Sequence, residues 1–583
     1  MTPNEPAKDF INPWEDFLQS YQEQHTQMMG SFLAGMESCL AMPVAASSAH
    51  IGDVLVKATQ ALAEDPSSFL KAQVELVEDL DALWEKMLSI ETKVTSEQPA
   101  DRRFRHQAWE TVPYFLFIKE YYLITSHWLE KMVSEIEGLD EKTKHKVRFY
   151  IKQIVDAASP TNSPFTNPEV LEEFVKTKGE SLRQGLETLL HDMETGQGMK
   201  MTDPSAFELG KSVALTKGEV VFRNHLFELI HYTPLTKEQH AVPLLIIPPW
   251  INKYYIFDLS ASNSFVKWLV EQGHNVFIIS WVNPGSEHAS MTFEDYLLDG
   301  AYRACEVIAS LTKSPSLNTM GYCVGGNLLT ALNAYLAKVP APFTLQTMTL
   351  LATVVDFEKM GDLRVFVDED YLQHVEQTMS QNGFLKGEAL KSLFSLLRPN
   401  DLVWSFFIKN YFLGQVPPAF DFLYWNSDST RLPEGLHGFV LRKFFQENLF
   451  MKPGGISIKG IPLDLKEIMT PAFLLSTSED HISPWQSSYP AVHLFKGPVE
   501  FVLAGSGHVA GVVNPPSKHK YGFFTNTSFP DQAHEWFESC TKNEGSWWTA
   551  WDVWVSSFGG EKVPSLATYP FLEAAPGSYV RMT

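Results

Sequence analysis

Cysteine is scarce in this chain. Only Cys39, Cys305, Cys323 and Cys540 occur in 583 residues, scattered and never as C-x-x-C. That usage suits a reducing cytoplasm and leaves no cysteine motif for a metal. Basic charge is also short. Lys and Arg number 46 against 69 Asp and Glu, a net charge of −23. No field is therefore available to follow a phosphate backbone, which argues against a nucleic-acid binder. Long apolar runs are missing too, since nothing approaches the ~18 residues a membrane-spanning helix needs. The opening residues, Met-Thr-Pro-Asn-Glu-Pro, show no basic segment followed by an apolar one, so no secretory leader is expected. Internal repeats and low-complexity tracts are absent. Apolar and aromatic residues are plentiful. A hydrophobic content of 44%, with 40 Phe, 19 Tyr and 15 Trp, supplies a large core, and the length predicts more than one domain.

Residues 12–95 read as amphipathic helix. Trp14, Phe17, Leu18 and Tyr21 recur at helical spacing, as do Leu76, Val77, Leu80, Leu83, Trp84 and Met87. A bundle face explains this, and so does a surface that docks on a partner or an apolar phase. Met28, Met29, Met36 and Met42 would adapt to such a surface. The aromatic-dense segment 101–132 reads as core or domain interface. Ser159 to Pro168 is a linker or an ordered loop, and a helix is expected from Glu169 to Met193. The boundary of this mainly helical N-terminal domain falls near residue 205, giving domains 1–204 and 205–583.

Beyond it the pattern changes to alternating strands and helices. Strands are expected at Pro243–Pro248, Asn275–Trp281, Leu317–Tyr322, Thr344–Leu351, Phe473–Ser476 and Val499–Leu503. Helices fall at Asn263–Gln272, Thr292–Leu311 (opened by a Thr292/Asp295 capping box) and Asn327–Leu336. Continuous apolar strands alternating with helices predict an α/β fold, a mostly parallel sheet covered on both faces. An aromatic-rich, mainly helical stretch of about 357–470 interrupts the alternation. On an α/β-hydrolase sheet it would be a cap over the active site.

The stretch Gly321-Tyr322-Cys323-Val324-Gly325 carries the chemistry. Strand, tight turn and helix make the context of a nucleophile elbow, G-x-S-x-G, with Cys in the Ser position. The glycines allow the close packing of strand and helix, and the helix N-terminus favours a thiolate and a developing oxyanion. A cysteine nucleophile needs a base, and the base an orienting acid, in the order nucleophile, acid, His. Asp480 follows the Phe473 strand, and His508, among glycines, follows the Val499 strand. All three then lie at the C-terminal edge of the sheet. Asp356 competes for the acid, though Asp480 suits the order better. The oxyanion donors are expected to be the N–H groups of Val324 and of Ile251, in the loop after the first core strand.

Together these stretches resemble a class I polyhydroxyalkanoate synthase. The resemblance is carried by Asp101-Arg102-Arg103-Phe104, Ser205 to Gly210, Pro248 to Asp258, the elbow, Phe394 to Arg398, Tyr424 to Thr430, Glu479 to Ile482, Gly507 to Pro516 and Gly545-Ser546-Trp547-Trp548. Trp250 departs from the small residue or Cys expected at its place. The resemblance implies transfer of (R)-3-hydroxyacyl groups from coenzyme A into a growing polyester, in a cytoplasmic homodimer on polymer granules. It makes Cys323 the nucleophile, His508 the base and Asp480 its partner, with no cofactor, since coenzyme A arrives with the substrate and leaves as product. Substrate contacts are expected from Asn252, His481 and Ala510. Arg398, with Arg442 and Lys443, is a candidate for the coenzyme A phosphates. Two rival readings are a cysteine-dependent thioesterase or esterase on the same fold, and a granule-associated protein with a dead hydrolase fold.

Overall fold

The computed structural model describes residues 44–64, 66–88, 101–196, 198–565 and 568–583. The expected helical positions Trp14 to Tyr21 and the methionines 28–42 lie outside the described residues. The chain forms two compact units. One holds the residues up to Met201 together with Ser392–Pro418, and the other holds Thr202–Lys391 with Ala419–Thr583.

The first unit is helical. Its helices include Val44–Glu64, Pro66–Leu88, Pro113–Ser134, Glu141–Ala157, Pro168–Lys176 and Glu180–Thr195. Leu83, Phe104, Trp109, Phe117, Ile118 and Tyr122 belong to its hydrophobic core, which is rich in aromatics. Arg103 ties the motif at 101–104 into it by donating to the Tyr122 hydroxyl at 2.9 Å, and it pairs with Asp156 at 3.3 Å. The polar stretch 159–168 is an ordered loop whose Ser159, Thr161, Ser163, Thr166 and Asn167 are buried. The single helix expected over 169–193 is broken, because Lys178 and Gly179 both take positive φ, which suits Gly179 and ends a helix. Residues 392–418 lie within the expected insertion but pack in this unit. Gly185 has no Cβ there, and one would overlap the Tyr411 carbonyl.

The second unit is built on an eleven-stranded sheet. Its strands are β1 Gly218–Arg223, β2 Phe227–Tyr232, β3 Leu244–Ile247, β4 Val276–Trp281, β5 Ser316–Tyr322, β6 Thr344–Leu351, β7 Ala472–Thr477, β8 Val499–Ala504, β9 Phe523–Thr525, β10 Thr541–Asn543 and β11 Glu573–Ala574. Their order is β10-β9-β8-β7-β6-β5-β3-β4-β2-β1-β11. The stretch from β8 to β4 is parallel, joined by crossovers, and β3, β4 and β7 are buried throughout. Both flanks are antiparallel, so the sheet is mixed, parallel only at its centre. The short link from β1 to β2 has no room for a crossover, so that pair must be antiparallel. The helix expected at 292–311 opens with the Thr292/Asp295 capping box, then passes through a π-helical turn at Tyr296–Tyr302. Gly300 in that turn packs on the Trp281 ring. Among the described residues no helix is long and apolar enough to cross a membrane.

Candidate active site

Cys323 sits between β5 and the helix Val324–Leu336, with φ +52° and ψ −125°. A side chain at that φ is strained, and surrounding contacts must hold it. The Cys323 N–H donates to the Leu351 carbonyl at 2.9 Å, and its own carbonyl accepts from the Gly326 N–H at 2.9 Å. Two glycines make the turn possible. A Cβ at Gly321 would lie 2.6 Å from the Gly326 Cα, and one at Gly325 would overlap the Ile247 carbonyl and lie 2.6 Å from that of Pro248. Gly325 thereby seats the helix start directly against the loop that follows β3. Gly325→Ala is expected to cost about 1–3 kcal/mol of stability by overpacking. Urea unfolding checks this, and an unchanged midpoint would show that the contact yields freely.

His508 lies on the turn after β8. Its Nδ1 is 2.7 Å from Asp480 Oδ2. With Nδ1 engaged by the carboxylate, Nε2 is the nitrogen left for sulfur. Cys323, Asp480 and His508 are each only 8% exposed, so they interact with little water between them. Asp480 stands in the turn after β7 with every lone-pair direction in use. Oδ2 also accepts from the Thr477 hydroxyl at 3.0 Å, and Oδ1 accepts from the N–H groups of Ile482 at 2.9 Å and Ser483 at 2.8 Å. Burial alone would lower the His508 pKa, but the Asp480 carboxylate and the Cys323 sulfur outweigh it and raise it to about 10. Burial would raise the Asp480 carboxyl, yet His508 and the two backbone N–H groups hold it below the usual range. The pair therefore favours imidazolium beside carboxylate.

Asp356, the competing acid, is engaged elsewhere. Its Oδ1 accepts from Asn448 Nδ2 at 2.9 Å and from the Glu358 N–H at 3.1 Å. Val324 opens its helix, so its N–H has no intrahelical acceptor. Ile251 and Asn252 are half-buried in the turn after β3, where Asn252 bridges Ser429. His481 follows Asp480 on the same turn and is half-buried. Ala510, also half-buried, lies on the turn that the Gly511 N–H closes on the Gly507 carbonyl at 2.8 Å. Of the cations considered for phosphate, Arg398 belongs to the first unit and pairs with Asp401 at 2.9 Å. Arg442 is held by Glu376 at 2.7 Å and by Glu369, and Lys443 by Glu447 at 2.8 Å, so these charges are already matched. Among the described residues no group of three or more His, Cys, Asp or Glu could hold a metal ion.

Some supporting residues escaped sequence reasoning. The Tyr322 hydroxyl donates to the His508 carbonyl at 3.1 Å, and its ring stacks on the imidazole at 5.2 Å. The indoles of Trp547 and Trp548 donate to the carbonyls of Gly511 at 3.0 Å and Val512 at 2.9 Å, pinning the turn that carries His508. The paired tryptophans were the visible signal for that role, since a buried indole N–H needs an acceptor.

Known proteins resemble this chain over most of its length. Residues 100–269 match the family described as Poly-beta-hydroxybutyrate polymerase (PhaC) N-terminus, and residues 243–515 match the alpha/beta hydrolase fold. A poly(3-hydroxyalkanoate) polymerase of Methylorubrum extorquens is 42% identical over 541 residues, covering 91% of this chain and 89% of its own. The poly(3-hydroxyalkanoate) polymerase subunit PhaC of Rhizobium meliloti (strain 1021) is 41% identical over 539 residues, 91% of this chain and 88% of its own. That of Cupriavidus necator is 40% identical over 527 residues, 88% and 89% of the two chains. At this identity over nearly the whole length, the chain belongs to the poly(3-hydroxyalkanoate) polymerase family.

Proposed function

We propose that this chain polymerises (R)-3-hydroxyacyl groups from coenzyme A thioesters into polyester, through a thioester on Cys323. The observation that carries the reading is His508, bonded to Asp480 at 2.7 Å and raised in pKa by that carboxylate and by the buried Cys323 sulfur. His508 as imidazolium already holds the proton given up by Sγ, and the thiolate attacks the substrate carbonyl. The N–H groups of Val324 and Ile251 receive the oxyanion. Collapse breaks the bond to coenzyme A, whose sulfur leaves with the proton from His508. One thioester has replaced another, so the exchange is nearly isoenergetic. His508 next removes the proton of a 3-hydroxyl group, and that oxygen attacks the acyl carbonyl. An ester forms, and the thiol of Cys323 is regenerated. Asp480 holds the imidazole in register and offsets its positive charge. Water must be kept from the acyl-enzyme, a role that suits the aromatic-rich parts of the insertion that lie in the second unit.

The further reading is a class I enzyme, a homodimer on cytoplasmic polymer granules that uses short-chain substrates. It needs no cofactor beyond the coenzyme A that the substrate brings. Purified protein with (R)-3-hydroxybutyryl-coenzyme A is expected to release thiol and form high-mass polyester. Release with only free hydroxy acid would identify a thioesterase instead. Ala510 should border the acyl pocket. Ala510→Met is expected to shift the preference between four- and six-carbon substrates about tenfold, the scale of a methylene in a fitted pocket. Unchanged ratios in a competition assay would place Ala510 away from the acyl chain.

A further inference from the structure

We propose that Thr430 is a positioning residue that aims the Ile251 N–H at the oxyanion. The inference rests on the proposed acylation of Cys323. The Thr430 hydroxyl donates to the Trp250 carbonyl at 2.9 Å, and Thr430 is 3% exposed. The carbonyl of Trp250 and the N–H of Ile251 belong to one planar, trans peptide unit, and they point in opposite directions. Holding the oxygen therefore sets the direction of the N–H. Without the hydroxyl, this peptide in a turn can rotate and carry the donor off line.

The segment that presents Thr430 is anchored to the same loop at several points. Lys253 Nζ meets Asp428 Oδ1 at 2.7 Å, with the lysine side chain 5% exposed. The Tyr255 hydroxyl donates to Asp428 Oδ2 at 2.7 Å, and the Trp425 indole donates to the Lys253 carbonyl at 2.7 Å. Asn252 bridges Ser429 in antiparallel fashion. At the other end of the helix Asp421–Ser427, Asp421 Oδ2 accepts from Ser260 Oγ at 2.6 Å and Asn263 Nδ2 at 2.7 Å. Residues 421–430 thus form a brace along the stretch from Trp250 to Asn263. A buried lysine paired with a half-buried aspartate fixes its register, because the lysine would be costly to leave unpaired. None of these groups reaches Cys323 or His508 by a hydrogen bond, so the brace acts on the oxyanion side of the site and leaves the nucleophile and base alone.

The test separates those two halves. Acylation of Cys323 by (R)-3-hydroxybutyryl-coenzyme A needs the oxyanion hole. Alkylation of Cys323 by iodoacetamide forms no oxyanion and reports only the nucleophile and its base. Thr430→Val keeps the shape and removes the hydroxyl. It is expected to lower the acylation rate at saturating substrate by about 10- to 100-fold. KM and the alkylation rate should stay within about twofold, while Thr430→Ser keeps most of the acylation rate. Asp428→Asn, which frees Lys253, is expected to give the same split and serves if Thr430→Val does not fold. Acylation by Thr430→Val at the wild-type rate would overturn the inference, as would a parallel fall in alkylation. A wild-type enzyme that is never acylated at Cys323 would overturn the proposed function first, and this inference with it.

Discussion

Cys323→Ala is expected to abolish polyester synthesis, with a loss on the order of 10⁶ in kcat, as when the nucleophile of a covalent mechanism is removed. On the proposed path every acyl group passes through this one sulfur, so no other group is expected to carry the acyl chain. Cys305, which is fully buried, cannot substitute, because burial pushes its thiol well above the ordinary range. The variant should fold. The backbone of residue 323 is held by Leu351 and Gly326 through main-chain bonds, which Ala keeps. Mass spectrometry of protein quenched with substrate should show the acyl adduct on wild type and none on Cys323→Ala. Residual synthesis above about a thousandth of wild type would mean that the acyl group travels by another route.

The second large effect belongs to Asp480→Asn. A drop of about 10⁴ in kcat is expected, since an amide neither fixes the correct imidazole tautomer nor offsets its charge. The pH behaviour gives a sharper check. His508 is raised from an ordinary 6.5 to about 10, so its share of stability is complete below 6.5 and is lost as pH rises through about 10. The Asp480 carboxyl is held low, so its share is present above the ordinary carboxylate range and is lost as pH falls below it. The pair should stabilise the fold most between roughly pH 4 and 6.5. In Asp480→Asn the larger raising influence is gone and only the Cys323 sulfur still opposes burial, so the His508 titration moves to lower pH. Urea midpoints measured from pH 4 to 10 should lose much of their dependence in the variant. A profile that parallels wild type would show that the 2.7 Å contact carries little energy.

Comparing chain with fold, the parts of this protein that are written locally were legible. The runs that became β3, β4 and β7 are nearly continuous in apolar residues with Pro or Gly close by, so composition and length identify them. Gly321 and Gly325 around Cys323 announce a turn that only glycine permits, and His508 stands among glycines after a strand. The antiparallel flanks were not legible. β9, β10 and β11 are two or three residues long and owe their existence to partners supplied by the sheet, β11 pairing with β1 from the far end of the chain. The helix broken at 177–179 was missed because its two halves share one apolar period. The membership of residues 392–418 in the first unit is equally invisible, since it depends on the close approach of Gly185 to Tyr411.

The site divides the same way. Residue types and their order determined the chemistry on offer: a cysteine at an elbow, carboxylates after strands, and a histidine in a glycine loop. Which carboxylate serves His508 was a matter of tertiary structure. Asp480 and His508 leave the ends of the adjacent parallel strands β7 and β8, which puts them side by side. Asp356 turns away to cap its own short helix and bind Asn448. The contact between Thr430 and Trp250, 180 residues apart in sequence, belongs to the same class. A chain records the capacity of each residue to donate, accept or pack, whereas the direction of a bond between distant residues exists only once strand register and helix packing have brought them together.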